Sequence, residues 1–164
     1  METAKKGIEL IKHFEGLHDG DLKLIGLQPK LCPANIWTEG YGRAMRDATG
    51  KFIKGKENKA IAYSRITIHT EKEAENALKE DLKVFEKIVT KRLRRIITQN
   101  QFDALVSHTY NTGGSDTLFK LVNERASGEK IRYWFENKYI TAGGVKLNGL
   151  IKRRKAEADL YFLK

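Results

Sequence analysis

Apolar positions near the start of the chain fall on one helical stripe. Ala4, Ile8 and Ile11 recur at helical spacing, and Leu10 and Phe14 widen the face. The spacing predicts a helix over 3–15, ended by Gly16 just beyond it. The pattern then changes. Over 17–69, short apolar runs at 22–27, 36–41 and 66–68 are broken by Gly, Asp and Pro. Such runs predict a small antiparallel sheet with loops. Thr70 and Glu73 have the spacing of a capping box, so a long helix should begin there and run to about Val89. Its apolar set is Ala74, Ala77, Leu78, Leu82, Phe85 and Val89. Beyond Leu93 the pattern stays helical to the end, with breaks near Gly113-Gly114, Ser127-Gly128 and Gly143-Gly144. No repeat or low-complexity segment interrupts it.

Strands and helices that are segregated along a chain imply an α+β fold. The expected arrangement is one domain over 1–164, with a β-rich lobe over about 17–69. The helical lobe would cover about 70–164 together with the N-terminal helix. Two lobes joined by a long helix would leave a cleft, a common place for a binding site. A chain of 164 residues is long enough to bury one real core.

Charge narrows the partners. The formal net charge is +10, which favours anionic ones: nucleic acid, anionic lipid or an acidic cell-wall polymer. The basic runs Lys91-Arg92-Leu93-Arg94-Arg95 and Lys152-Arg153-Arg154-Lys155 read either as solvated helix faces or as a nucleic-acid footprint. A single cysteine allows no internal disulfide and fits synthesis in a reducing cytoplasm. No run approaches the roughly 18 apolar residues of a membrane span, and residues 2–14 lack the apolar core of a signal peptide. The expectation is therefore no stable membrane anchor. His13, His18, His69 and His108 show no ligand spacing, and one cysteine cannot make a zinc cluster, so no metal and no cofactor are expected. No G-x-S-x-G motif supports a serine hydrolase.

One carboxylate stands out. A further step of four along Ala4, Ile8 and Ile11 lands on Glu15, which turns its side chain toward the core side at the helix end. Partial burial favours the protonated form of a carboxylic acid. A carboxylic acid kept protonated near neutral pH can serve as a general acid, whereas an exposed Glu in a last helical turn needs no such role. Downstream lies Leu31-Cys32-Pro33-Ala34-Asn35-Ile36-Trp37-Thr38-Glu39-Gly40-Tyr41-Gly42, and Phe14-Glu15-Gly16 precedes it.

These segments resemble the phage lysozymes, the bacteriophage endolysins that cut peptidoglycan. The family pattern is a Glu, eight residues, an Asp or Cys, five residues, a Thr, and a short Gly-Tyr-Gly run. Cys32 to Thr38 keeps the five-residue gap, whereas sixteen residues separate Glu15 from Cys32, an insertion of eight. Two further blocks follow in family order. The first runs from Ile97 through Ser107 to Tyr110-Asn111-Thr112-Gly113-Gly114. The second comprises Tyr139, Ala142-Gly143-Gly144, Leu147, Gly149-Leu150 and Arg153-Arg154.

The resemblance implies a lysozyme-like fold and hydrolysis of the β-1,4 bond between N-acetylmuramic acid and N-acetylglucosamine. Glu15 would be the general acid. Cys32 and Thr38 would support the oxocarbenium ion or place a water. Gly40 would sit in a tight turn close to substrate, and Tyr110 and Asn111 would line the cleft. Asp19 or Asp21, in the insertion, remains an alternative second acid to Cys32. Arg43 stands where the family more often has His and receives no role. The implied partner is a peptidoglycan glycan strand, met by a monomer. Synthesis in the host cytoplasm would precede action in the periplasm or wall, with a separate phage protein aiding export. Two rivals are carried forward: a lytic transglycosylase, which needs one Glu and no water, and a basic nucleic-acid-binding protein.

Overall fold

A computed structural model describes residues 1–164. The helical stripe at the start forms α1 (Lys5–Glu15), with Ile8 and Ile11 buried. Gly16 follows at φ 71°, so the helix stops where a left-handed residue is tolerated. Three short antiparallel strands come next: β1 (Lys30–Leu31), β2 (Trp37–Glu39) and β3 (Arg43–Ala44), in that spatial order. A single 3-10 turn leads into α2 (Lys59–Ser64). The long helix α3 spans Glu71–Arg92. Its capping box is formed: Glu73 N–H donates to Thr70 Oγ1 at 3.2 Å, and Thr70 N–H donates to Glu73 Oε2 at 3.1 Å. The remainder is α4 (Gln99–Thr112), α5 (Asp116–Asn123), α6 (Gly128–Asn137), the hairpin β4 (Thr141–Ala142) and β5 (Val145–Lys146), and α7 (Asn148–Phe162). No helix is long and apolar enough to cross a membrane.

The chain divides into two compact units. One contains Met1–Phe14 and Leu82–Lys164, the other Glu15–Asp81. In the smaller unit the core is Trp37, Met45, Ile53 and Ala62, flanked by Leu31 and Tyr63. The Trp37 indole donates to Gly55 O at 2.7 Å, so its buried N–H is satisfied. In the larger unit α4 is buried continuously from Phe102 to Thr109, and its N-terminus is closed by Thr98 and Gln101 in a second capping box. The N-terminus of α1 is anchored within the same unit. Ala4 N–H donates to Asp103 Oδ1 at 3.0 Å, and the Thr3 N–H and hydroxyl both donate to Glu86 Oε1 at 2.7 Å. Carboxylates there satisfy the orphan N–H groups and the helix dipole together.

Two expected strands do not form. Residues 22–27 make a turn-rich loop, and 66–68 belongs to no helix or strand. In both places carboxylates take N–H groups that a ladder would have used. Lys23 N–H goes to Asp21 Oδ1 at 3.1 Å, and Thr67 and Ile68 N–H go to Glu39 Oε2 at 3.0 and 3.1 Å. The short helix α2 and the β4–β5 hairpin were not expected, and α3 runs three residues past Val89.

Candidate active site

Glu15, Cys32 and Thr38 all fall in the smaller unit. Glu15 is the last residue of α1 and is partly buried. Its carboxylate faces the Gly40-Tyr41-Gly42 turn. A Cβ built on Gly42 would meet Glu15 Oε2 at 3.7 Å and nothing else within 4 Å. A glycine there keeps the space beside the carboxylate open.

The register of β1 and β2 sets the other two. Lys30 pairs with Thr38 and Leu31 with Trp37, and Cys32 N–H continues the ladder to Ile36 O at 2.8 Å. Successive side chains in a strand alternate faces. Leu31 and Trp37 therefore turn together into the apolar core, and Cys32 and Thr38 share the opposite face. The five-residue gap between them is thus the geometry of a hairpin with two residues on one side. Asn35, at φ 62°, supplies the turn and donates its N–H to Cys32 O at 2.8 Å. Cys32 is partly buried and takes part in no disulfide.

Thr38 is buried, and its hydroxyl donates to Lys30 O at 3.0 Å. With its proton so committed, the hydroxyl oxygen can only accept from a further partner. A water beside it would donate a proton to Thr38 and turn a lone pair elsewhere.

Gly40 lies at φ 59°, and a Cβ there would meet Ile68 Cδ1 at 2.8 Å and Ala74 Cβ at 3.4 Å. Its close approach is to the start of α3. Its carbonyl accepts His18 N–H at 2.8 Å. Tyr41 is buried and donates to Glu71 Oε1 at 3.0 Å, again holding the turn to α3. Arg43, left without a role by its sequence position, donates to both oxygens of Asp81, at 2.9 and 3.0 Å, and to Ala77 O at 2.7 Å. This two-pronged contact pins β3 to α3.

Sequence reasoning passed over Glu39. It is buried and accepts Thr67 Oγ1 at 2.6 Å as well as the two backbone N–H groups. A charged residue within a short strand beside the buried Trp37 was the available signal. Asp19 and Asp21 are also occupied. Asp19 Oδ1 accepts Gln28 N–H at 3.3 Å and Asp21 N–H at 3.4 Å, while Asp21 Oδ1 holds Lys23 N–H.

Tyr110 and Asn111 belong to the larger unit. Tyr110 stands edge-on to Phe85, with ring centroids 5.0 Å apart. Asn111 is exposed, and its Oδ1 accepts from Arg154 Nη2 at 2.8 Å, which turns its amide N–H groups outward. Arg154 and Arg153 correct the reading of 152–155 as a solvated or nucleic-acid-binding run. Both arginines are buried, and both donate to the buried Glu157 Oε1, each at 3.2 Å; Ser107 Oγ adds a third bond at 2.7 Å. Burial pushes the Glu157 carboxyl up, against the pull of the two guanidinium groups and the Ser107 hydroxyl. Glu157 stands four and three residues from the arginines, the helical spacing of an ion pair, so the signal was present in the sequence. No cluster of side chains suited to a metal ion occurs.

Comparison with known proteins identifies the family. The phage lysozyme family model matches residues 12–157. The chain is 32% identical to an endolysin of Bacillus phage B103, over 98% of this chain and 54% of the relative. It is 31% identical to an endolysin of Acyrthosiphon pisum secondary endosymbiont phage 1, over 98% of both. The chain thus spans about half the length of the Bacillus phage relatives, at 54% and 55%. Among solved structures, the endolysin from Escherichia coli O157:H7 phage FAHEc1 aligns at TM-score 0.68 and 32% identity, covering 99% of this chain and 94% of that one. The muramidase domain of SpmX from Asticaccaulis excentricus aligns at TM-score 0.73 and 27% identity, covering 99% of both. The fold is α+β and lysozyme-like, and the chain belongs to the phage lysozyme family.

Proposed function

We propose that the chain is a lysozyme that hydrolyses the β-1,4 bond between N-acetylmuramic acid and N-acetylglucosamine in peptidoglycan, acting as a phage endolysin. The observation that carries this is the position of the Glu15 carboxylate, at the end of α1 and beside the Gly40–Gly42 turn. Glu15 protonates the glycosidic oxygen as the bond breaks. Positive charge then builds on the ring. A water enters from the side of the sugar served by Thr38 and Cys32. Thr38, whose own proton is committed to Lys30 O, accepts a hydrogen bond from that water and so aims its lone pair at the anomeric carbon, and the proton the water loses as the new C–O bond forms passes to bulk solvent. Cys32 lies on the same face of the hairpin and confines the water. Tyr110 offers an aromatic edge and Asn111 outward amide N–H groups to sugar. Gly40 acts indirectly, by seating the Gly40–Gly42 turn on α3.

The chain works as a monomer on a glycan strand and needs no cofactor. It is made in the host cytoplasm and reaches the periplasm or wall with the help of another phage protein. Glu15→Gln keeps the shape of the side chain but cannot donate the proton. Its wall-lytic activity should fall by roughly 100- to 10,000-fold with the fold retained. Activity within a few-fold of the parent would remove Glu15 from the role. Mass spectrometry of the released muropeptides should find reducing ends. A 1,6-anhydro end would instead identify a transglycosylase.

A further inference from the structure

The insertion between Glu15 and Cys32 is unusual in what it exposes. Leu22 is 86% exposed, Leu24 49% and Ile25 fully exposed, with Lys23 between them. Three large aliphatic side chains on one short segment would ordinarily fold inward, because burial is favourable and loops can rearrange. This loop cannot readily do so, because its base is bonded shut. Gly20 N–H donates to Gln28 O at 2.9 Å, and Leu27 N–H donates to His69 O at 2.8 Å. The buried Gln28 side chain donates to Ile25 O at 3.3 Å and Gly26 O at 3.2 Å. Asp19 holds the Gln28 and Asp21 N–H groups, and Leu24 N–H returns to Asp21 O at 3.2 Å. The side chains are therefore presented outward by a braced frame.

The chemistry of the tip selects its partner. Residues 22–26 are Leu, Lys, Leu, Ile and Gly, so the exposed tip is aliphatic with one positive charge. The two nearby acids, Asp19 and Asp21, accept backbone N–H groups of the frame and keep their charge, so the attraction to an anionic surface rests on Lys23 and on the chain as a whole. The whole chain carries +10. An aliphatic tip with a lysine whose stem can lie along it, on a strongly basic protein, complements an anionic bilayer surface. Acyl chains accept the aliphatic groups and phosphates meet the charge. We propose that loop 20–27 is a peripheral membrane-docking loop, dipping Leu22, Leu24 and Ile25 into the boundary of an anionic bilayer. Docking of this size is reversible, as a few side chains supply far less than a membrane span.

The test uses the full chain with vesicles of phosphatidylglycerol and phosphatidylcholine, and with phosphatidylcholine alone. The parent should co-sediment with the anionic vesicles and weakly with the neutral ones. Leu22→Ser with Ile25→Ser should lower partitioning about tenfold or more, the equivalent of losing one buried aliphatic side chain. Lysis of membrane-free wall should be unchanged. An Ile25→Trp variant should gain a fluorescence component quenched by brominated lipid, which the native tryptophans do not show. The proposal fails if the serine variant partitions like the parent, since the basic surface alone would then carry binding. It fails if Ile25→Trp is not quenched. It also fails if the serine variant loses wall lysis in step with binding, which would make the tip a substrate contact. A parent that is dimeric, with a monomeric serine variant, would assign the tip to a second copy instead. Loss of activity in Glu15→Gln is independent of all these outcomes.

Discussion

Cys32 occupies a position where a carboxylate would be the more obvious chemical choice. What the fold fixes there is a place more than a charge. The hairpin register puts residue 32 on the face of Thr38, and the turn at Asn35 holds it. Asp19 and Asp21 are employed as braces of the neighbouring loop. Cys32→Ala should therefore lower wall lysis by about 100-fold, the cost of a misplaced reactant. Cys32→Asp should restore part of it. Asp19→Asn with Asp21→Asn should cost little, because an amide oxygen still accepts the same N–H bonds. Lysis rates of the purified variants decide this; a dead double variant beside an active Cys32→Ala would move the second group into the insertion. His108 allows a different prediction. It is buried, edge-on to Phe135 and Tyr139, and burial followed by the charges of Arg154 and Arg153 lowers its pKa from 6.5 to about 3. Between those values the unfolded chain binds a proton that the folded chain refuses. The stability held above pH 6.5 is thus lost as pH falls from 6.5 toward 3, at up to about 1.4 kcal/mol per pH unit. Urea unfolding of His108→Leu at pH 7, 6, 5 and 4 should show a shallower acid slope than the parent. An identical slope would place the acid sensitivity elsewhere.

At the scale of elements, legibility followed locality. The α1 stripe and its Gly16 stop, the Thr70–Glu73 box and the breaks at Gly113 and Ser127 are written in residues a few positions apart, and each formed. The 22–27 and 66–68 runs were misread because apolar, β-prone residues describe a strand only if partners exist. Here Asp21 and Glu39 intercept the backbone, and Glu39 does so from 28 residues away. The β4–β5 hairpin has two-residue strands around Gly143-Gly144, too short to leave a period. Two substitutions separate local from tertiary control. Thr70→Ala should cost about 0.5–2 kcal/mol, with specific activity at low temperature unchanged. An unaltered melting temperature would mean the cap contributes nothing. Gly40→Ala should cost more than about 1 kcal/mol, because a left-handed residue gains a Cβ, and that Cβ would lie 2.8 Å from Ile68 Cδ1. It should also depress activity, as the turn beside Glu15 must shift; full activity with full stability would show that the turn has slack.

For the whole molecule, the candidate site was legible as far as spacing carries it. Three ordered blocks identified the family, and the Cys32–Thr38 gap proved to be a hairpin register. The bonding state of each side chain was not legible, since Thr38 to Lys30, Arg43 to Asp81 and Asn111 to Arg154 depend on the fold. Net charge is the property that composition conveys best, yet the fold redistributes it. Arg153 and Arg154 are inside, while Arg43, Arg92 and Arg132 are paired with Asp81, Asp116 and Asp159. The outward field therefore comes chiefly from lysines, which bind anions without fixed geometry. Such a field should speed encounter with an anionic wall and do nothing for a neutral oligosaccharide. Raising ionic strength shortens the screening length from about 30 Å at 0.01 M to about 8 Å at 0.15 M. Across that range, kcat/KM on intact anionic wall should fall by about tenfold or more, within the span of electrostatic steering. The change should fall in KM and leave kcat nearly constant, since in the proposed mechanism Glu15 and Thr38 act at short range. Cleavage of an uncharged N-acetylglucosamine oligomer should vary by less than about twofold, there being no opposite charge to screen. Equal salt slopes on the two substrates would show that the lysines serve solubility and have no part in holding the enzyme to its wall.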